Sequence, residues 1–303
     1  MRLSIWPGPH QPLHEVMATA RHADDTGWGG VYFADHFMMN TPDGTSPEVE
    51  TLECTAVLAV MAATTTRVRL GSLVLGNTYR HPAVVAKWAA TVDHVSRGRL
   101  VLGIGAGWQE NEHHQYGIAK PAPRELVDRF EEACEVLTGL LRRPRTTFQG
   151  QHYVLQDAEC EPKPISDPLP ILIGGKGDRM LGVVARHADE WNMWASPERL
   201  RERGAVLDAR CESIGRDPTT IHRSVQALVH LTDDAGAAAA FVRNVEPRPA
   251  VAGSPERFAE YVAGCLEEGA DEVIVPDFTL AQGTKRLDQM DQLRESVAHL
   301  ITD

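Results

Sequence analysis

The chain has 303 residues, 43% hydrophobic and 24% charged, with a formal net charge of −12. This composition predicts a folded protein with a large core, and the acidic balance without a basic block argues against nucleic acid and anionic membranes as partners. The five dispersed cysteines predict reduced thiols. With no signal-peptide pattern and no apolar run near the roughly 18 residues of a membrane span, we predict a soluble, cytoplasmic protein.

The first part of the chain alternates between strand and helix patterns, with short connections and a loop at Asn40–Pro47. Short apolar runs predict strands and helical spacing predicts helices. The predicted strands are Arg2–Trp6, Gly30–Ala34, Val68–Leu75 and a run that begins at Leu100; the predicted helices are Leu13–Thr26, Glu50–Thr64 and Pro82–Val95. Such alternation is typical of βαβ units and a parallel sheet.

After Glu112 the alternation breaks and then resumes. An irregular stretch (His113–Pro123), a helix (Arg124–Leu141), a small hairpin (Arg145–Gln156) and a proline-rich connector (Cys160–Pro170) predict an insertion at about 109–168. Four more strands (Leu169–Ile173, Asp189–Trp194, His222–Leu231, Asp271–Val275) and four more helices (Asp178–His187, Pro197–Ile214, Ser254–Glu268, Thr284–Ile301) follow. We predict one (β/α)8 barrel domain over residues 1–303, with its site at the strand carboxyl ends.

The fourth strand runs into alternating glycines, Gly103, Gly105 and Gly107, followed by Trp108. Glycine weakens a strand interior, so this run indicates that another backbone or a ligand approaches closely. The glycines do not make a dinucleotide-binding fingerprint, because the position of its third glycine is Trp108. The strand therefore predicts one wall of a ligand site.

Other strand ends supply a second set of candidates. His36 is the best candidate acid or base, although a loop histidine hydrogen-bonded for structure is the commoner interpretation of such a residue. Gly174–Gly177, with Lys176, fits either a phosphate cradle at a helix start or a tight turn. Trp6, Trp108 and Trp194 stand where a flat ligand would stack, whereas Trp88 and Glu53 have structural interpretations. None of the thirteen histidines has metal-ligand spacing, so we predict no metal site.

Several motifs in the same order resemble the luciferase-like monooxygenase superfamily over nearly the whole chain. They are ADHF at 34–37, RLGSLVLGNTYRHPAVVAKWAATVDHVSRGRLVLGIGAGWQENE at 69–112, PILIGGKG at 170–177 and ADEWN at 188–192. The Asp-His pair and GAGWxxNE resemble the branch that uses the deazaflavin coenzyme F420 more than the FMN monooxygenases. The resemblance implies a (β/α)8 barrel, a homodimer and a flavin-type cofactor at the carboxyl face.

The resemblance also implies roles for individual residues. Asp35 and His36 would lie beside the deazaflavin ring, with His36 exchanging the proton, and Leu73–Val74 would form the family's non-prolyl cis peptide behind the ring. The other implied cofactor contacts are Thr78, Ala106, Gly107, Trp108 and Asn111, with Gly174, Gly175, Lys176 and Gly177 at the phosphate. Trp6, Trp108 and Trp194 are the predicted substrate-pocket residues.

One departure limits the substrate. The sugar-phosphate dehydrogenases of this branch carry a catalytic glutamate at the position of Trp108, and their lysine cluster has no counterpart here. We therefore predict hydride transfer between F420 and a small organic substrate, with reduction of a C=C, C=O or C=N bond. The alternatives are an FMN-dependent monooxygenase using O2 and a non-catalytic flavin-binding barrel. Neither the substrate nor the direction of hydride transfer follows from the sequence.

Overall fold

The computed structural model describes residues 1–41 and 45–301, and thirteen strands occur among them. In chain order they are β1 (Arg2–Trp6), β2 (Gly30–Phe33), β3 (Arg69–Ser72), β4 (Leu75–Gly76), β5 (Leu100–Gly105), β6 (Thr146–Gln149), β7 (Val154–Ala158), β8 (Ile171–Gly174), β9 (Glu190–Trp194), β10 (His222–Gln226), β11 (Leu228–Leu231), β12 (Ala250–Gly253) and β13 (Glu272–Pro276). Residues Pro42–Gly44 of the predicted loop Asn40–Pro47 lie outside the described residues.

Ten α-helices of the described residues connect these strands. They are α1 (Leu13–Thr26), α2 (Cys54–Thr64), α3 (Pro82–Ser96), α4 (Glu110–Tyr116), α5 (Pro123–Arg142), α6 (Asp178–His187), α7 (Pro197–Ser213), α8 (Ala235–Val245), α9 (Pro255–Glu267) and α10 (Thr284–Ser296). Their ends follow ordinary capping chemistry: α1 stops at Gly27 in the left-handed region, and α3 starts at Pro82 after His81, whose side chain accepts from Ala83 N.

Nine strands form one sheet in the order β3-β2-β1-β13-β10-β9-β8-β5-β4, and the additional pairing of β3 with β5 closes it into a barrel. All pairings within this sheet are parallel, and β3 and β4 together occupy a single barrel position. Buried apolar residues on the outer faces of the strands pack against the helices. The predicted (β/α)8 barrel is confirmed, and the strand carboxyl ends meet at one face of it.

Two parts of the prediction need correction. The predicted strand His222–Leu231 is two strands: β10 belongs to the barrel, whereas β11 leaves it and pairs with β12 in a separate parallel sheet. The sequence HRSVQALVHL contains no turn residue between β10 and β11. The position of this break is therefore determined only by how the two strands pair in the folded protein. The helix α8 was not predicted, although Asp234 caps it and its alanine run favours a helix.

The stretch His113–Pro123 is also more regular than predicted. Its first residues belong to α4, which has Glu110 and Glu112 in its first turn and ends before Gly117 at a φ of 67°. Acidic residues at a helix start and glycine after its end are recognisable signals, so this helix was within reach of the sequence. The predicted hairpin is present as the antiparallel pair β6–β7.

All five cysteines are buried and outside any disulfide, as the sequence predicts. Among the described residues, no helix combines the length and the apolar character that crossing a membrane requires.

Candidate active site

The carboxyl ends of the barrel strands surround a cavity of about 820 Å³. Twelve of the predicted site residues line it: Trp6, Asp35, His36, Leu73, Val74, Ala106, Gly107, Trp108, Gly174, Gly175, Lys176 and Trp194. Three others, Thr78, Asn111 and Gly177, are not among its lining residues. The topology thus brings most of the candidates to one place, from strands that are far apart in sequence.

A bulge between β3 and β4 forms part of the cavity wall. The peptide bond Leu73–Val74 is cis, as the family resemblance implies. A Cβ on Gly103 would lie 1.8 Å from Ser72 O, and one on Gly105 would lie 2.9 Å from Val74 Cγ2. The glycines of β5 therefore make room for the neighbouring backbone and for Val74, which in turn faces the cavity.

Thr78 and Asn111 hold loops around the cavity. The Thr78 hydroxyl is 2.7 Å from His113 Nε2, and a Cβ on Gly107 would come within 2.7 Å of the same oxygen. Asn111 Nδ2 donates to Met39 O at 3.0 Å. In this structure both side chains form hydrogen bonds within the protein.

His36 is oriented by Glu112, a residue of α4 whose carboxylate is fully buried. The His36 Nδ1 lies 3.3 Å from Glu112 Oε1, and Glu112 also accepts the Tyr79 hydroxyl and the backbone N–H of Phe37. Burial alone would raise the pKa of Glu112, but the hydrogen bonds from His36 and Tyr79 outweigh it and lower that pKa. A carboxylate can only accept, so Nδ1 of His36 carries a hydrogen and Nε2 is left without a partner among the described residues.

Asp35, the neighbour of His36 in the sequence, pairs with Arg80. Both carboxylate oxygens accept from Arg80, at 2.7 and 2.9 Å, and Gly76 N donates to it at 2.9 Å. Arg80 also pairs with Glu53 at 2.5 Å, which bears out the structural interpretation of Glu53. The bidentate pair ties the end of β2 to the segment after β4, so Asp35 fixes the backbone that carries His36.

Aromatic rings form the sides of the cavity. Trp6 lies 5.7 Å from Trp194 and 5.5 Å from Phe278 between ring centroids, and His36 meets Trp108 edge to face at 5.6 Å. Trp108 is 59% exposed, so it has free surface to offer a ligand. Trp88, in contrast, packs against the hydrophobic core, as predicted.

The glycine turn after β8 leads directly into α6. Gly175 has a φ of 150° and its carbonyl accepts Trp191 Nε1 at 2.7 Å, whereas Gly177 caps α6 without any side-chain hydrogen bond to the helix. Apart from Gly177 and its two neighbours in the chain, no atom of the described residues lies within 4 Å of the place where a Cβ on Gly177 would stand. An open helix N-terminus beside Lys176 suits an anionic group.

Four further groups at the site were not among the residues predicted from the sequence. Glu112 lies outside the strand end, on a helix that was not predicted. His10, Asp277 and Arg286 line the cavity from loops whose course depends on the closed barrel. For Asp277 a signal existed, because a carboxylate directly after an apolar strand stands at the active face of a barrel.

At the opposite end of the barrel, Glu190, His222 and Glu272 lie close enough together to share a metal ion. Arg69 donates to Glu190, and Arg2 approaches Glu272 to within 3.7 Å. Two guanidinium groups in such a cluster oppose a further cation, so we interpret it as an ion-pair network.

The chain belongs to the luciferase-like monooxygenase family, whose model matches residues 1–299. This confirms the resemblance inferred from the sequence. Among curated proteins it is 31% identical over 220 residues to an F420-dependent glucose-6-phosphate dehydrogenase of Kineococcus radiotolerans. It is 27% identical over 226 residues to an F420-dependent hydroxymycolic acid dehydrogenase of Mycobacterium tuberculosis. These matches cover 71% and 74% of this chain but only 63% and 61% of those relatives.

Among solved structures, an F420-dependent secondary alcohol dehydrogenase superimposes with a TM-score of 0.84 at 18% identity, over 98% of this chain and 99% of that one. A long-chain alkane monooxygenase superimposes with a TM-score of 0.81 at 13% identity, over 99% and 92%. At such identities the likeness establishes the shared barrel fold, which carries both kinds of chemistry.

Proposed function

We propose that this protein is an oxidoreductase that transfers a hydride between coenzyme F420 and a small organic substrate. The observation that carries the proposal is His36, which is held by the buried Glu112 on a cavity next to the Leu73–Val74 bulge and the open start of α6. The names of the curated relatives favour F420 over FMN, because the matches above are to F420-dependent dehydrogenases.

The residues present fit the cofactor. Val74 and Ala106 offer an apolar surface to a flat ring, and Gly174–Gly177 with Lys176 offers N–H groups and a positive charge to its phosphate. F420, when bound, supplies the hydride or accepts it. His36 holds or receives a proton at Nε2, Glu112 orients its ring, and Asp35 with Arg80 fixes the backbone beneath it. Trp6, Trp108 and Trp194 are proposed to contact the substrate and exclude water.

The remaining candidates have lesser roles in this proposal. Thr78 and Asn111 border the cofactor by shaping the loops that contact it, and Gly177 contributes its backbone at the phosphate. Trp108 at the position of the sugar-phosphate dehydrogenases' glutamate argues against a sugar phosphate as substrate. We further propose one domain over residues 1–303 with its insertion at about 109–168, acting in the cytoplasm as a homodimer without nucleic-acid partners.

A paired titration with oxidised F420 and with FMN, followed by fluorescence, tests the proposal. We expect micromolar binding of F420 and weak or absent binding of FMN. Tight FMN binding without F420 binding would favour the oxygen-using monooxygenase alternative. Binding of F420 without turnover of enones, imines, ketones or alcohols would favour the non-catalytic barrel.

A further inference from the structure

Arg248 brings a positive charge to the cavity wall from a segment to which the proposed function gives no role. It lies between α8 and β12, flanked by Pro247 and Pro249. The proline rings fix the backbone on either side, and a residue before proline is restricted to extended conformations. Arg248 N donates to Val245 O at 3.0 Å, and Pro249 O accepts Leu228 N at 2.9 Å. The backbone of Arg248 is therefore held in place beside the cavity.

The side chain of Arg248 keeps its hydrogen-bond donors available. Its guanidinium carbon lies over the ring of Trp194, at 5.8 Å from the ring centroid. Such a contact attracts the cation to the aromatic face without using its N–H groups. Arg248 is exposed, and within the described ranges its side chain forms no ion pair and no hydrogen bond. Five N–H donors in one plane are therefore free to bind a ligand of the cavity.

The other charges of the cavity wall do not cancel the charge of Arg248. Each carboxylate in the wall already faces an arginine, and the two pairs are Asp35–Arg80 and Asp277–Arg286. Two cations of the wall have no ion-pair partner in the part of the chain that the structure describes: Lys176 and Arg248. The whole chain has a net charge of −12, so the cavity is a positive site on an acidic protein. Such a site attracts an anionic ligand.

Arg248 belongs to one half of the cavity. The strands β9, β10, β13 and β1 are neighbours in the barrel, and three aromatic residues stand at their carboxyl ends. Trp194 ends β9, Trp6 ends β1, and Phe278 follows β13. The ring centroid of Trp6 lies 5.7 Å from that of Trp194 and 5.5 Å from that of Phe278. We call these three residues the aromatic half of the cavity, and Arg248 joins it through its contact with Trp194.

The other half of the cavity is formed by β8, β5, β3 with β4, and β2. It holds the Leu73–Val74 bulge, the glycine turn with Lys176, and His36. The proposed function assigns this half to the cofactor, with Lys176 at its phosphate. Lys176 therefore has a ligand in that proposal, whereas the free cation of the aromatic half has none. Arg248 is thus available to the substrate.

We propose that Arg248, supported by Trp194, is a subsite for a carboxylate group of the substrate, so that the substrate is an organic acid with a flat apolar body. A guanidinium and a carboxylate match in two parallel N–H···O bonds, and one arginine balances one negative charge. The apolar body packs on Trp6 and Phe278. This inference rests on the proposed function, which left the substrate open, and adds the group by which the substrate is recognised.

The test compares two ligands of the same shape and different charge, benzoate and benzamide, by calorimetric titration of the F420-loaded protein. Arg248→Gln removes the charge, and Arg243→Gln is the matched control, because Arg243 is an exposed arginine of α8 that does not line the cavity. We expect the native protein to bind benzoate roughly tenfold more tightly than benzamide. Arg248→Gln should bind the two ligands about equally, whereas Arg243→Gln should keep the native preference.

Two results would overturn the proposal directly. One is equal affinity of the native protein for benzoate and benzamide, and the other is a benzoate preference that persists in Arg248→Gln. A measurement on the native protein alone adds a check that needs no variant. Because Arg248 is exposed, salt screens its charge, so the preference for benzoate should shrink between 0.1 M and 1 M salt. A preference that does not depend on salt would contradict binding by Arg248.

The same titrations on the cofactor-free protein separate this proposal from the proposed function. Failure to bind F420 counts against the proposed function, and a benzoate preference that is lost in Arg248→Gln would still support the carboxylate subsite. F420 and benzoate should bind together, with little effect on each other and with the F420 affinity of Arg248→Gln unchanged. Competition between them, together with weaker F420 binding in Arg248→Gln, would place an acidic group of the cofactor at Arg248 and overturn the proposal.

Discussion

Strand β13 carries a buried carboxylate at each end, and the two have opposite pKa shifts. Glu272 begins the strand at the amino end of the barrel, Asp277 follows it at the carboxyl end, and both side chains are fully buried. Burial raises the pKa of Glu272, but His222, Arg2 and Arg69 outweigh it and bring that pKa down to about 2. Burial also raises the pKa of Asp277, and there Arg286, Gly8 and Gln11 do not compensate, so it stays at about 6.

The difference lies in how completely each carboxylate is satisfied. Glu272 accepts from Ser4 and, at 3.1 Å, from Tyr32, with His222 at 3.3 Å. Within the described ranges Asp277 Oδ2 has no hydrogen-bond partner, because Arg286 Nη1 at 3.4 Å lacks the geometry for one. The paired charges at the amino end of the barrel therefore contribute to stability. At the carboxyl end the charge of Asp277 is only partly compensated, and this carboxylate holds the loop that contains His10.

The largest expected effect of a single change at the carboxyl end is on turnover. His36→Gln removes the group that exchanges the proton, so kcat should fall roughly 10²- to 10⁴-fold while F420 still binds and the melting temperature changes little. Steady-state kinetics beside fluorescence titration would measure this, with His14→Gln as the control, because His14 is exposed and does not line the cavity. Near-native turnover in His36→Gln would remove His36 from the mechanism.

At the amino end the expected effect is on stability instead. Glu272→Gln removes the buried carboxylate that faces Arg2 and Arg69 and leaves Arg69 with Glu190 alone, and breaking such a buried pair costs about 3–5 kcal/mol in the free energy of unfolding. Denaturant titration at pH 7 would measure the loss, and kcat per folded molecule should stay unchanged. A variant with native stability, or one that is folded but inactive, would contradict the interpretation that the amino end serves stability and the carboxyl end serves function.

Glu112 allows a sharper test within the carboxyl end. Glu112→Gln keeps the shape of the side chain but removes the charge that orients His36, so kcat should fall roughly 10- to 100-fold, the range for residues that orient a functional imidazole. F420 affinity and the melting temperature should stay close to those of the native protein, because the amide oxygen can still accept the Phe37 N–H. A loss of rate that matches a loss of folded protein would indicate that Glu112 acts only through folding.

The sequence predicts the barrel because its signals are local and repeated. Apolar runs, capping residues and glycine turns recur with every βα unit, and the errors fall where pairing is tertiary, as at β11. His36, Trp6 and Gly174–Gly177 were within reach because strand carboxyl ends are the active face of such a barrel. Burial and tertiary contacts are not encoded locally, so neither the compensation of Glu272 nor the contact of Glu112 with His36 was visible in the sequence.

The smallest expected effect is on how stability depends on pH. It distinguishes the two carboxylates of β13 most directly, because their contributions change with pH in opposite directions. The pKa of Asp277 is near 6 against an ordinary 3.8, so between about pH 4 and 6 the folded chain holds more protons at this site than the unfolded chain, and stability falls as pH rises. The pKa of Glu272 is near 2 against 4.5, so its contribution rises with pH up to about 4.5 and is constant above.

Denaturant titrations of the native protein, Asp277→Asn and Glu272→Gln at several pH values from 4 to 7 would compare the two slopes. The stability of the native protein relative to Asp277→Asn should fall by about 1–3 kcal/mol between pH 4 and 6, at roughly 1.4 kcal/mol per pH unit. The stability of the native protein relative to Glu272→Gln should not change with pH above pH 5. Slopes of the same sign would mean that both ends of the strand compensate their carboxylates equally, and the contrast between stability and function along β13 would be lost.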